Sequence, residues 1–512
     1  MANIVAERLL EALRAGEVTD RDGFQRLKMK YCAKYGAEKV PSNSEILALV
    51  PECEKKTFLP ILVKKPMRTA SGVAVVAVMT SPYPCPHGKC AYCPGGVSNN
   101  SPQSYTGKEP AARRASMNRF DPFDQVTARL VQLEEIGHDT DKIDLIIMGG
   151  TFTSRNPQYQ EWFVKRCLDA MNGTVSADLE SAQELNSHSK RRCIGLTVET
   201  RPDYFRRKDQ IQRMMLLGAT RVELGVQILD DDVLNGVERG HGVAEVIEAT
   251  RECRGLGLKI CYHLMPGLPG SSPEKDMASF EKCFADPDFR PDMLKFYPTL
   301  VIPNTKIYDL WADGKYTPYS TETAVELLSK MKSQIPDYVR IQRIQRDIPV
   351  PEIAAGILKS NLRQLVQKNM SDKGMACRCI RCREVGHTGV VLEDESLIVP
   401  EVLEYEAAGG TERFISFTYK DSLVGYVRLR TTPESDIAYI RELKVFGNET
   451  AIGAAAESWQ HRGFGRRLVA RAEEIARSEG KTSVRITSGI GVREYYASLG
   501  YHLERPYMAK DL

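Results

Sequence analysis

Three thiols, Cys85, Cys90 and Cys93, stand in a C-x4-C-x2-C frame inside the stretch CPHGKCAYCPGG. An odd number of closely spaced cysteines does not make a disulfide framework. Three thiolates suit an iron–sulfur cluster with one iron left open, because cluster iron prefers soft donors. The Pro and Gly residues let the backbone wrap closely around a cube-shaped group. A zinc knuckle or three unrelated buried cysteines is the plainer alternative. A second group, Cys377, Cys379 and Cys382, has the tighter C-x-C-x2-C spacing that can chelate one ion. Structural zinc takes four ligands, and His387 or a distant thiol such as Cys283 could supply the fourth. Zinc is the expectation here. A second cluster and free thiols are the alternatives.

A third pattern is made for phosphate. Gln460, Arg462, Gly463, Phe464, Gly465 and Arg466 form Q-x-R-G-F-G-R ahead of a helix expected over Arg466–Ser478. Bare backbone N–H groups at a helix N-terminus bind phosphate, and glycine permits close approach. Two tyrosines, Tyr495 and Tyr496, follow downstream, and neighbours on a helix point in different directions.

The elements that must position these residues can be read from periodicity. Residues 1–70 are polar and helical, with an expected apolar stripe at Ile4, Leu9, Leu10 and Leu13. From 71 to 350, apolar runs begin at Val73, Asp144, Cys193, Arg221, Lys259, Met293 and Tyr338, with helical stretches between most of them. Strand–helix alternation with buried strands predicts parallel β/α units closing into a partial barrel. In such folds the working groups sit at the C-terminal strand ends. The cluster loop, Gly149-Gly150, Glu199 with Arg201, Gln227 and Met265–Gly270 all follow strands, and so gather on one rim. Residues 351–395 are a basic linker with the second cysteine group. From 396 to 512 a new pattern begins, with strands at Phe414–Lys420, Ser422–Leu429 and Ile437–Val445 and a tight turn at Asp421.

Composition sets the bounds. A chain of 512 residues holds two or three domains. It has no apolar run long enough to span a bilayer, and its start lacks a signal-peptide layout. Thirteen cysteines, six of them in two tight groups, point to metal chemistry in a reducing, cytoplasmic setting. The net charge of +3 is mild, but residues 339–383 hold ten basic against three acidic groups. Lys28, Lys30, Lys34 and Lys39 lie among Tyr31 and Tyr35. Basic groups interleaved with aromatics can hold phosphate and stack on bases. A solvated surface is the bland alternative.

The cysteine loop resembles that of the radical S-adenosylmethionine (SAM) superfamily. Within it, the chain resembles the Elongator catalytic-subunit family of archaeal and bacterial type. One extra residue before Cys90 departs from the superfamily's C-x3-C-x2-C and marks that branch. The Q-x-x-G-x-G pattern resembles the CoA loop of GNAT acetyltransferases. The resemblance implies a radical SAM partial barrel followed by a GNAT-type α+β domain. It implies a [4Fe-4S] cluster on Cys85, Cys90 and Cys93, and SAM beside Gly149, Gly150, Glu199 and Arg201. It implies acetyl-CoA against Glu442, Leu443, Lys444, Val445, Gln460, Arg462, Gly463, Phe464, Gly465 and Arg466. Tyr496, with Tyr495, would stand near the thioester, and Lys142 would touch acetyl-CoA at the domain seam. The implied activity is a tRNA wobble-uridine acetyltransferase that forms 5-carboxymethyluridine by radical chemistry. The implied partners are tRNA at its anticodon loop, met partly by the N-terminal segment, and an external electron donor; a homodimer stays open, and no membrane is expected. The rival functions are a protein lysine acetyltransferase with a structural cluster and a non-catalytic tRNA-binding scaffold.

Overall fold

Seven short runs rich in Val, Ile and Leu, each followed by a helix or long loop, can bury both faces only by pairing side by side in parallel. In the computed structural model they do. The structure describes all residues except 1, 65–68, 70–71, 392 and 448–462. Strands β1 (Ala74–Met79), β2 (Lys142–Met148), β3 (Arg192–Thr200), β4 (Arg221–Gln227), β5 (Lys259–Leu264), β6 (Met293–Phe296) and β7 (Arg340–Arg343) form one parallel sheet in sequence order. This is the expected half-open barrel. Among the described residues no pairing joins β1 to β7. Several covering helices start with proline after a polar cap: Asp121 before Pro122, Asn156 before Pro157, Ser272 before Pro273. The cap side chain satisfies an orphan N–H, and proline has none to lose.

The second sheet is mixed. Its strands are β8 (Val399–Ala407), β9 (Gly410–Tyr419), β10 (Ser422–Thr431), β11 (Ile437–Val445), β12 (Ser483–Ile486), β13 (His502–Glu504) and β14 (Tyr507–Asp511), in the order β13-β14-β12-β11-β10-β9-β8. Lys420 and Asp421 both take positive φ between β9 and β10, the two-residue turn that matches strand twist. β11 pairs in parallel with β12 only over Ile437–Ile440. Beyond that point the two strands part, and the helix Phe464–Ser478 packs on the sheet beside the gap.

The sheets are joined by a buried ion cluster. Arg441 on β11 grips Asp292 with two hydrogen bonds of 2.8 and 2.5 Å, and donates to Glu412 at 3.0 Å and to the Leu258 carbonyl at 2.8 Å. Arg254 and Arg428 add charge at 3.6 and 3.5 Å from Asp292. Burial raises the Asp292 carboxyl's affinity for a proton, and the three arginines reverse this and hold it far below the usual range. Gly489 completes the contact. A Cβ there would lie 2.1 Å from the Ile194 carbonyl on β3, so only glycine lets the loop approach.

The N-terminal helices Ala2–Arg14, Arg21–Lys34, Asn43–Leu47 and Glu52–Leu62 enclose a small core of their own. The expected stripe is corrected in one position. Ile4 is half exposed and Val5 is buried in its place, because 5, 9 and 13 line up on one face.

Candidate active site

The cysteine loop follows β1 and places Cys85, Cys90 and Cys93, all buried, at the C-terminal rim of the barrel. Each sulfur has a donor close by. Ser104 N lies 3.2 Å from Cys93 Sγ, Arg239 Nη1 lies 3.5 Å from Cys90 Sγ, and the Thr151 hydroxyl lies 3.4 Å from Cys85 Sγ. His87 Nε2 is 3.2 Å from Cys90 Sγ. Burial pushes the Cys90 thiol up, but Arg239 and His87 outweigh it and bring it down to about 6. Cys90 is thus held towards the thiolate that a cluster requires, whereas burial pushes the Cys93 thiol up.

The spacing of the sulfurs separates the two cysteine groups. The ligand atoms of Cys377, Cys379 and Cys382 all lie within 4.8 Å of one another, whereas Cys85, Cys90 and Cys93 do not form such a set. A single ion gathers its ligands tightly, at about 2.3 Å for zinc and sulfur. A four-iron cube holds its thiolates farther apart. The rim group therefore fits a cluster, and the second group fits one ion. Neither fourth ligand expected from the sequence belongs to that second set. His387 Nε2 rests 2.9 Å from Glu384, and Cys283 is fully buried in the helix Pro273–Ala285.

Around the rim thiols lies a pocket of about 130 Å³. Gly150, Glu199 and Arg201 line it. Gly149 packs behind, its carbonyl accepting from the Thr80 hydroxyl at 3.2 Å. Glu199 accepts a 2.8 Å bond from Tyr105, and Arg201 is held by Asp203 at 2.9 and 3.0 Å and by His87 at 2.9 Å. The sequence reading missed Tyr105, Glu223, Arg239 and His263, which line this pocket. Their signal was faint: polar residues at loop positions or within apolar strands, without motif spacing.

A second pocket, of about 560 Å³, lies at the opposite, N-terminal end of the barrel where the mixed sheet docks. Lys142, first residue of β2, lines it with Glu442, Leu443, Lys444, Val445, Gly463, Phe464, Gly465, Arg466, Tyr495 and Tyr496. Beyond Ile440, β11 turns its edge to this gap instead of to β12. Gly463 caps the helix Phe464–Ser478 with φ of +79°. A Cβ on Gly465 would stand 2.6 Å from the Tyr495 hydroxyl, so a larger residue must push that side chain aside. The two tyrosines differ. Tyr496 is buried against Tyr501, and Tyr495 is 39% exposed over the glycine loop. Gln460 and Arg462 lie outside the described residues.

The expected basic surface is partly paired. Six of the ten cations between 339 and 383 have acidic partners: Arg340 with Glu384, Arg343 with Asp347, Lys368 with Asp372, Lys373 with Glu326, Arg378 with Asp337 and Asp421, and Arg383 with Asp337. Lys28 is buried and donates to Asn43 at 2.6 Å, so it does not reach a phosphate. Lys34 does stand over Tyr31 and Tyr35, at 6.0 and 5.3 Å from the ring centres.

Comparison with known proteins accounts for both ends of the barrel. The family models that match are the ELP3 N-terminal domain over residues 1–70, the radical SAM superfamily over 81–281, the radical SAM C-terminal domain over 291–372 and the GNAT acetyltransferase family over 388–501. A tRNA uridine(34) acetyltransferase of Methanocaldococcus infernus is 50% identical, with 99% of this chain and 98% of that one covered. Human Elongator complex protein 3 is 40% identical over 99% of this chain and 96% of its own. The solved structure of M. infernus Elp3 lacking residues 1–46 superposes with a TM-score of 0.77 at 48% identity, covering 87% of this chain and all of that one. The radical SAM match implies a [4Fe-4S] cluster and SAM, and the GNAT match implies acetyl-CoA.

Proposed function

We infer the reaction from the premise that this chain belongs to the family of the tRNA uridine(34) acetyltransferases and Elongator complex protein 3. It is a tRNA wobble-uridine acetyltransferase that uses acetyl-CoA and SAM to form 5-carboxymethyluridine. The observation that carries this reading is the pairing of two unlike pockets on one barrel. One is built on three buried thiols, and the other on a glycine loop at a helix N-terminus.

Cys85, Cys90 and Cys93 would hold the cluster, which together with SAM would supply the radical chemistry needed to take hydrogen from an unactivated methyl group. Glu199, fixed by Tyr105, and Arg201, fixed by Asp203, orient SAM by polar contacts. Gly149 and Gly150 let the backbone approach its methionine part. The buried walls keep water from the reacting carbon.

At the other end, the backbone of Gly463, Phe464, Gly465 and Arg466 cradles the CoA pyrophosphate, aided by the helix dipole. Gln460 and Arg462 belong to the same motif. The free edge of Glu442, Leu443, Lys444 and Val445 pairs with the pantetheine arm. Tyr496 serves the thioester with Tyr495 beside it, and Lys142 places a cation at the acetyl end. Cys377, Cys379 and Cys382 bind a structural zinc ion.

The working units are a tRNA-binding helical segment over 1–70, the barrel over 71–350, the zinc linker over 351–395 and the acetyltransferase unit over 396–512. Among the described residues no helix is long and apolar enough to cross a membrane. We place the enzyme in the cytoplasm, with tRNA at its anticodon loop and an external electron donor as its partners.

The test is anaerobic incubation of reconstituted protein with tRNA, SAM, reductant and acetyl-CoA carrying a deuterated methyl group. The reading requires carboxymethyluridine together with deuterated 5′-deoxyadenosine, both lost in Cys90→Ala. Unmodified tRNA and intact SAM alongside continued acetyl-CoA turnover would sink it.

A further inference from the structure

A parallel β/α barrel is ordinarily filled by layers of branched apolar side chains. Here Asp144, Glu199, Arg221, Glu223, His263 and Lys295, on β2 to β6, meet one another inside it. Their contacts cross between strands that are not neighbours. Arg221 on β4 donates to Asp144 on β2 at 3.1 Å, and Lys295 on β6 lies 3.8 Å from Glu199 on β3. Lys295 also donates to Glu223, which accepts from His263 at 2.7 Å. Buried charges cost several kcal/mol each before pairing, and apolar residues would fill the space as stably. Their presence calls for a role beyond holding the fold.

The line of charges runs from one pocket to the other. Asp144 and Arg221 line the pocket at the sheet junction, and Glu199, Glu223 and His263 line the thiol pocket. Between them lies a third cavity of about 260 Å³. It shares Asp144, Arg221 and Lys444 with the junction pocket and Arg343 with the thiol pocket. It opens sideways where β1 and β7 are unpaired, and Val75 on β1 is 43% exposed there. Two fully buried acceptor atoms on strands of this interior, Thr197 Oγ1 and Glu223 Oε1, have no hydrogen-bond partner. Strands of about six residues separate the two rims by about 20 Å. The acetyl methyl and the thiol pocket cannot meet unless one group travels.

We propose that the barrel interior is a passage for the acetylated end of the pantetheine arm, with Lys295 on Glu223 as the partition it displaces. The proposal rests on the two-pocket reaction above. The arm is an uncharged chain carrying amide donors and acceptors and a thioester. Such a chain can satisfy Thr197 and Glu223 without bringing a further charge into the interior.

The first experiment reads occupancy and does not depend on turnover. A thiol introduced by Val75→Cys in the full-length protein is alkylated and followed by site-resolved mass spectrometry. S-ethyl-CoA, a thioether that cannot be hydrolysed, should slow its alkylation severalfold. Adenosine 3′,5′-bisphosphate, which lacks the arm, should not. Equal rates with and without S-ethyl-CoA, or protection by tRNA instead, overturn the passage.

The second experiment plugs the interior with Ile146→Trp, whose native side chain lines the middle cavity. Deuterium transfer from acetyl-CoA to 5′-deoxyadenosine should fall by about 100-fold, as for a misplaced reactant, with acetyl-CoA hydrolysis and SAM cleavage each kept within about twofold. Undiminished transfer through the plug overturns the proposal. If the plug disables both half-reactions, the protection of the thiol decides alone. If the wild type transfers no deuterium, the reaction reading fails, and the protection result still reports on the passage.

Discussion

The two three-cysteine groups differ by a few residues in spacing and by much more in setting. The rim group sits at the mouth of a charged pocket, its sulfurs spread and each met by a donor. The group at Cys377, Cys379 and Cys382 draws its sulfurs within 4.8 Å. There the neighbouring thiols donate to Cys379 and hold it ionised far below its usual range. It adjoins β7 and the mixed sheet, away from either pocket. Three extra residues between the first two thiols turn a clip for one ion into a cradle for a larger group, once a strand end and a charged pocket are behind it.

The sharpest break of this comparison exchanges the losses. Cys90→Ala should bring SAM cleavage to background and remove the cluster's visible absorbance, with the zinc content unchanged. Cys379→Ala should do the reverse, losing zinc while cluster absorbance persists. Metal analysis and absorbance on the same samples decide it. Loss of both metals in either variant would mean that the groups are not independent.

Next in size is the joint between the regions that carry them. Asp292→Ala takes from the buried Arg441 the carboxylate it grips, and removes the charge that Arg254 and Arg428 face at 3.6 and 3.5 Å, at a cost of about 3–5 kcal/mol. Urea unfolding should show a lower midpoint. It should also show whether the barrel and the mixed sheet still melt together. A variant as stable as the wild type would remove the ion cluster from the account.

A smaller effect separates the pockets. Gly465→Val pushes against the Tyr495 hydroxyl, and should weaken acetyl-CoA binding by about tenfold, or about 1.4 kcal/mol. SAM cleavage in the absence of acetyl-CoA should be unaffected. Equilibrium binding of CoA and product analysis check the two halves separately.

The smallest prediction concerns pH. Burial, with Arg340 beside it, brings the Lys444 ammonium down to about 8 from an ordinary 10.5. Between those values the unfolded chain holds a proton that the folded protein has released. Stability therefore rises with pH across that window relative to Lys444→Met, by linkage. Paired urea titrations at pH 7.5 and 10 should show the wild type gaining on the variant. A constant difference would place Lys444 in a wetter setting.

Much of this protein was written in local pattern. Lys259–Leu264 and Val243–Gly255 were legible to the residue, because burial on both faces gives a strand an apolar run and a helix its own period. The three thiols, the rim glycines and the Gly463–Arg466 loop were legible because their chemistry needs fixed residue types at short range. β8 was missed because it is an edge strand: Val399 to Glu404 are exposed on both faces, so no alternation marks it. The basic stretch overstated its unpaired charge because a charge count does not see partners such as Glu384 or Asp337, which lie close only after folding.

What the sequence alone determined is the set of parts: a thiol frame, a phosphate loop and the strands and helices that carry them. Each depends on residues a few positions apart, within reach of local backbone geometry. The tertiary structure alone decided that the pockets occupy opposite ends of one barrel, that Arg239 reaches Cys90, and that Lys295 and Glu223 stand between the two. Those pairs lie 149 and 72 residues apart, and only strand packing brings them into contact.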